Sequence, residues 1–113
     1  MNATNPPPMF AARAWVNFNG VTANTPINAS GNVSSVTDIA VGSFRVNFTT
    51  AMPDTNYSFV GTVRKNDATI TGYAGVIMPY LGDGKTTAAL DLKSWQASMV
   101  LTDYPEVNIV VFR

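Results

Sequence analysis

Few kinds of side chain do chemistry near neutral pH, and two of the most useful, His and Cys, are absent from these 113 residues. That removes nearly every zinc, copper and non-haem iron site, together with His- or Cys-based nucleophilic catalysis. Carboxylate pairs, Ser–Lys pairs and oxygen-ligated cations remain. The acids are Asp38, Asp54, Asp67, Asp83, Asp91, Asp103 and Glu106. A glycosidase-like centre needs two carboxyls roughly 5–9 Å apart. Asp38, Asp54, Asp67, Asp83 and Asp103 fall in turns or polar connections, where Asp is favoured because it bonds local backbone. Asp103 and Glu106 are the one close pair, and the Tyr104-Pro105 turn between them accounts for both. Lys93 and Ser94 are neighbours on a strand and point to opposite faces. Gly82-Asp83-Gly84-Lys85-Thr86 echoes the end of a phosphate-binding loop, but the Gly that should open that pattern is missing and a strand follows instead of a helix. Nothing resembles a Ca²⁺ loop. The chain reads as non-enzymatic, with no metal and no cofactor.

Recognition is the chemistry it is better supplied for. Tyr73, Tyr80 and Tyr104, with Asp83 and Lys85 between them, are the candidate surface-contact residues. Rings that stack on sugar faces beside amide, carboxylate and ammonium hydrogen-bonding groups suit a glycan. Tyr80, between Pro79 and Gly82 in a tight loop, is the strongest of them. Taken singly, such rings are more often core or interface. Five Asn-x-Ser/Thr sequons, at Asn2, Asn28, Asn32, Asn47 and Asn56, follow from the abundance of Asn, Ser and Thr.

The elements that must hold these residues are strands. Apolar residues recur with period two: Ala12, Ala14, Val16, Phe18; then Phe44, Val46, Phe48; then Tyr57, Phe59, Val63; and finally Val107, Ile109, Val111. Turn signals, strongest at Asn19-Gly20, Met52–Asn56, Gly82–Gly84 and Tyr104–Glu106, punctuate them. This predicts an all-β, antiparallel β-sandwich or jelly-roll-like single domain over residues 11–113, preceded by a Pro-rich lead-in, 1–10. The Pro53-Asp54 turn predicts that 43–49 and 57–63 form a hairpin. Seven basic and seven acidic residues balance, which leaves no electrostatic footprint for nucleic acid or anionic lipid. No apolar run approaches the roughly 18 residues needed to span a bilayer. Residues 1–8 lack the basic and apolar regions of a signal peptide. Trp15, Val110 and Phe112 lie opposite the faces expected to form the core, and a lone sandwich cannot hide them. They predict a subunit interface, with coverage by the long 64–85 region as the alternative.

The segments AARAWVNFNG (11–20), NVSSVTD (32–38) and VNFTTAMPDTNY (46–57), with the ending VVFR (110–113), resemble C-terminal domains of bacteriophage tail-fibre-like and other virion structural proteins. The resemblance covers the first half and the last strand. It implies an external virion appendage module, homotrimeric, made in the bacterial host cytoplasm and partnered by other virion proteins and a host-surface glycan or protein. It carries no catalytic residues. Phe18, Phe44 and Phe48 match as strand cores, while Gly61 to Thr102 departs from the pattern and is where partner-specific variation is expected. A head fibre or capsid-decorating knob is the alternative, and a polysaccharide-degrading enzyme the third reading.

Overall fold

In the computed structural model, residues 10–65, 75–79 and 84–113 are described. Eight strands follow in order: β1 (Ala14–Phe18), β2 (Ile27–Gly31), β3 (Val33–Ala40), β4 (Ser43–Phe48), β5 (Ser58–Arg64), β6 (Gly75–Pro79), β7 (Ala89–Gln96) and β8 (Glu106–Phe112). There is no helix among the described residues. The strands form two antiparallel four-stranded sheets, ordered β2-β1-β8-β5 and β3-β4-β7-β6, stacked as a β-sandwich.

Alternation does the sorting. In β1, Ala14, Val16 and Phe18 are buried while Trp15 is exposed; in β8, Val107, Ile109 and Val111 are buried while Phe112 is exposed. The second sheet contributes Val33, Val36, Phe44, Val46, Phe48, Leu90 and Leu92 to the same core. Phe18 and Phe44 meet between the sheets edge to face, ring centroids 5.3 Å apart, a geometry that adds to simple area burial.

The expected 43–49/57–63 hairpin is not formed. β4 pairs with β3 and β7, whereas β5 pairs with β8 in the other sheet. The connection is an arch over the open end of the core. Met52 and Tyr57 are buried beneath it, Tyr57 packs edge to face on Phe48 at 5.7 Å, and its hydroxyl lies 3.0 Å from the Thr86 carbonyl. Two large apolar groups on this nine-residue connection find no room beside a hairpin, and crossing to the other sheet buries them. The transition from β2 to β3 is a single-residue corner at Asn32, whose positive φ of 55° suits Asn. Its side chain ties the corner to Arg13 and Thr50 by donating to both carbonyls at 3.0 Å. Residues 86–101 contain one strand, β7, followed by a return that bonds back to it, Gln96 N–H donating to the Val100 carbonyl at 2.9 Å and Thr102 N–H to the Ser94 carbonyl at 3.0 Å.

Because every strand runs from one end to the other, the connections divide into two groups. The chain enters β1 and leaves β8 at one end, the proximal end, which also carries Asn32 and the 49–57 arch. The opposite, distal end carries residues 19–26, 41–42 and 97–105, and the end of β5.

Candidate functional site

The distal connections are knitted to one another. Loop 19–26 is closed by Asn19 N–H donating to the Pro26 carbonyl (3.0 Å). The Asn19 carboxamide oxygen accepts from the backbone N–H groups of Val21 (2.8 Å) and Thr22 (3.1 Å), a local use for which Asn is suited. At the end of the loop Asn24 and Thr25 both have positive φ, 67° and 41°. Positive φ is a strained state for a β-branched residue. The buried Thr25 hydroxyl secures it by donating to the Val36 carbonyl at 2.7 Å.

The turn between β3 and β4 and the 97–105 segment are joined in the same way. Gly42 N–H donates to Asp103 Oδ1 (2.6 Å), Ser94 N–H to the Gly42 carbonyl (2.9 Å), and Gly20 N–H to the Tyr104 carbonyl (2.9 Å). The Ser94 hydroxyl donates to the Thr102 carbonyl at 2.6 Å. Met99 holds a φ of 65°, with its N–H bonded to the Gln96 carbonyl at 2.9 Å. The outcome is a rigid platform built from loops.

Aliphatic side chains crown it. Val21, Ile39, Val41, Met99 and Val100 are all exposed, Met99 by 70%. Beside them Asn19, Val21, Thr22, Lys65, Thr102, Asp103, Tyr104 and Pro105 line a groove of about 560 Å³. Rigid loops that hold apolar groups in water are poorly explained by folding alone, since an Asn or Ser at those positions would close the same turns. They are well suited to contact with another molecule, because little ordering entropy is lost on binding.

The residues expected from the sequence sit elsewhere. Tyr73, Tyr80 and Asp83 lie outside the described residues. Tyr104 is a correction: only 3% exposed, it is a core residue whose hydroxyl donates to the Trp95 carbonyl at 2.9 Å, and burial pushes its pKa up. Lys85 is half-buried at the proximal end. Its ammonium donates to the Tyr57 carbonyl at 2.7 Å and lies 5.3 Å from the centre of the Tyr57 ring, so it braces the proximal arch. Trp15 and Phe112 are exposed on the outer face of the first sheet and Val110 is half-buried between them. Asp103 and Glu106 are engaged separately. Asp103 holds Gly42; Glu106 accepts from Arg64 Nε (2.6 Å) and from the Asn17 amide (3.1 Å) on the outer sheet face. Arg64 first, then the Asn17 and Asn108 amides, hold the Glu106 carboxyl below its usual pKa. Among the described residues no three acidic groups gather as metal ligands.

Comparison with family models, curated proteins and solved structures finds no match. Sequence reasoning passed over Val21, Val41, Met99 and Val100. Their signal was an apolar residue inside a turn-forming run, as in Asn19-Gly20-Val21, Val41-Gly42-Ser43 and Ser98-Met99.

Proposed function

We propose that this chain is a non-enzymatic recognition module on the outside of a bacteriophage particle, at the tip of a tail fibre, and that its distal platform meets the host surface. The observation carrying this reading is the row of exposed aliphatic residues on hydrogen-bonded loops at the end opposite the one where the chain enters and leaves the sandwich. A module joined to a particle at its proximal end presents that platform outward. The aliphatic crown and its rim of Asn, Thr, Lys and Asp suit a host-surface protein, or a glycan with an apolar face. The separate engagement of Asp103 and Glu106 supports binding without hydrolysis. Homotrimeric assembly belongs to the same reading, as does the resemblance to virion structural proteins. A head fibre or capsid knob would share this architecture, and labelled antibody on intact particles separates the two locations.

The test is competition. Purified protein should block adsorption of the particle to host cells, and the double variant Val41→Asp/Met99→Asp should lose that blocking at least tenfold while keeping its circular dichroism. Equal blocking by the variant, or none by the unaltered protein, refutes the proposal.

A further inference from the structure

Asn19 precedes Gly20 and Asp103 precedes Tyr104, and the bond from Gly20 N–H to the Tyr104 carbonyl, 2.9 Å, draws both side chains to the wall of the distal groove. Each is a planar group with two ends, and the fold uses one end of each. The Asn19 oxygen takes the Val21 and Thr22 N–H groups. An amide N–H₂ cannot accept, so these two donors fix which end is oxygen and turn the N–H₂ away from the loop. Asp103 Oδ1 takes the Gly42 N–H. Among the described residues nothing accepts from the Asn19 N–H₂ and nothing donates to Asp103 Oδ2. The turns do not call for this choice. Asp at position 19 would cap the same two N–H groups, and Asn at position 103 would hold Gly42. What Asn19 adds is a donor, and what Asp103 adds is a second acceptor, both half-buried at one groove.

A donor and an acceptor offered together match one residue of an extended chain, which turns its C=O and N–H to the same edge. Chains held in this way draw affinity from main-chain bonds and specificity from alternate side chains. The surroundings select among ligands. The one ring lining the groove, that of Tyr104, is buried, whereas Val21, Val41 and Val100 beside it are aliphatic and exposed. Aliphatic groups gain most when apolar surface covers them, and a sugar bearing hydroxyls on every side offers little. Lys65 and Asp103 are the charged lining residues and are opposite in sign, so the groove favours a neutral main chain over an acidic saccharide.

We infer that the groove holds an extended peptide segment of a host-surface protein. The Asn19 N–H₂ donates to a main-chain carbonyl of that segment, Asp103 Oδ2 accepts a main-chain N–H, and alternate apolar side chains lie on the aliphatic crown. Resting on the reading that the distal end meets the host, this assigns the partner as protein and names the two groups that grip it. The crown fixes which way the segment runs, so the order of its donor and acceptor along the groove is fixed too.

Binding of fluorescently labelled protein to host cells tests it. Proteinase treatment of the cells should lower binding about tenfold or more, while periodate, which cleaves neighbouring hydroxyls of glycans, should leave it unchanged. Asn19→Asp still offers an oxygen to Val21 and Thr22, and Asp103→Asn one to Gly42, so both should keep the circular dichroism and melting temperature of the unaltered protein. Each sets an acceptor against a carbonyl or a donor against an N–H, and should weaken binding about tenfold or more. The double exchange Asn19→Asp/Asp103→Asn should bind no better, because a main chain cannot exchange donor for acceptor as a pair of hydroxyls can. Binding that survives proteinase but not periodate, or that the double exchange restores, would identify a glycan and overturn the inference. If Val41→Asp/Met99→Asp loses binding while Asn19→Asp or Asp103→Asn keeps it, the platform stands and the peptide grip falls. No binding by the unaltered protein removes the distal reading and the grip together.

Discussion

Arg113 grips Asp54 with two parallel bonds, Nε to Oδ1 at 2.8 Å and Nη2 to Oδ2 at 2.6 Å, while its carbonyl accepts from Arg13 Nε at 3.1 Å. The end of β8 is thereby fastened to the 49–57 arch and to the approach to β1. The Arg113 bonds, helped by the Asn56 N–H, bring Asp54 from its ordinary 3.8 to about 2. A carboxyl whose pKa is lower in the folded state contributes stability that is complete above its unfolded value and is lost as pH falls through the folded one. The window is therefore about pH 4 down to about pH 2. Both partners are well exposed, so the effect is modest and salt-sensitive. In thermal melts, Asp54→Asn should lie below the unaltered protein near pH 6 and merge with it toward pH 2; a constant offset over that range would exclude this pair as the cause. Tyr104 has a side chain that suits a glycan, but composition does not reveal that the sandwich takes its ring into the core to close the distal end.

At the scale of elements, strand faces were legible because burial follows the pleat: Phe44, Val46 and Phe48 inward, Arg45 and Asn47 outward. Strand partners were not. A Pro-Asp turn fixes where a strand ends, while the next partner depends on where Met52 and Tyr57 can be buried, a property of the assembled core. The distal platform was equally hidden. Its rigidity comes from bonds between segments far apart in sequence, such as Gly42 to Asp103, and local propensity holds no trace of those. Gly42 is the position on which that junction turns. With φ at +63°, an added Cβ would stand 2.7 Å from Thr102 N and 2.8 Å from Ser94 O, both backbone atoms that cannot step aside. Gly42→Ala should destabilise the fold by about 2 kcal/mol or more, combining a positive-φ penalty with displacement of the Ser94 and Thr102 bonds. Denaturant unfolding measures it. A change within about 0.5 kcal/mol, the range of an ordinary surface substitution, would mean that the turn is not locked to the 97–105 segment as described.

The whole molecule is organised by the last strand. β8 lies between β1 and β5, and β1 lies between β2 and β8, so the first strand of the fold waits for the last before both its edges are paired. Val107, Ile109 and Val111 are each buried to within 1% and pack in the middle of the core cluster with Val16 and Phe18. Losing them removes a central layer, not a flap. Large-to-small changes at single buried positions already cost about 2–5 kcal/mol, and domains of this size are stable by only about 5–15 kcal/mol. A chain shortened after Tyr104 should therefore lack the dispersed amide spectrum of a folded β-protein. The same topology makes folding slow for the chain length, since the decisive β1–β8 pairing joins the two ends and loop closure must precede it. Refolding monitored by Trp fluorescence should fall in the millisecond-to-second range typical of all-β domains. A shortened chain that still gives a dispersed spectrum would show that β2, β1 and the second sheet suffice, and would remove β8 from the centre of the fold. The arrangement also bears on display. With the ends of the fold paired side by side at the proximal end, a pull between a proximal tether and a distal contact acts along β1. That strand is hydrogen-bonded on both edges, so its ladders are loaded together in shear instead of being peeled apart one bond at a time.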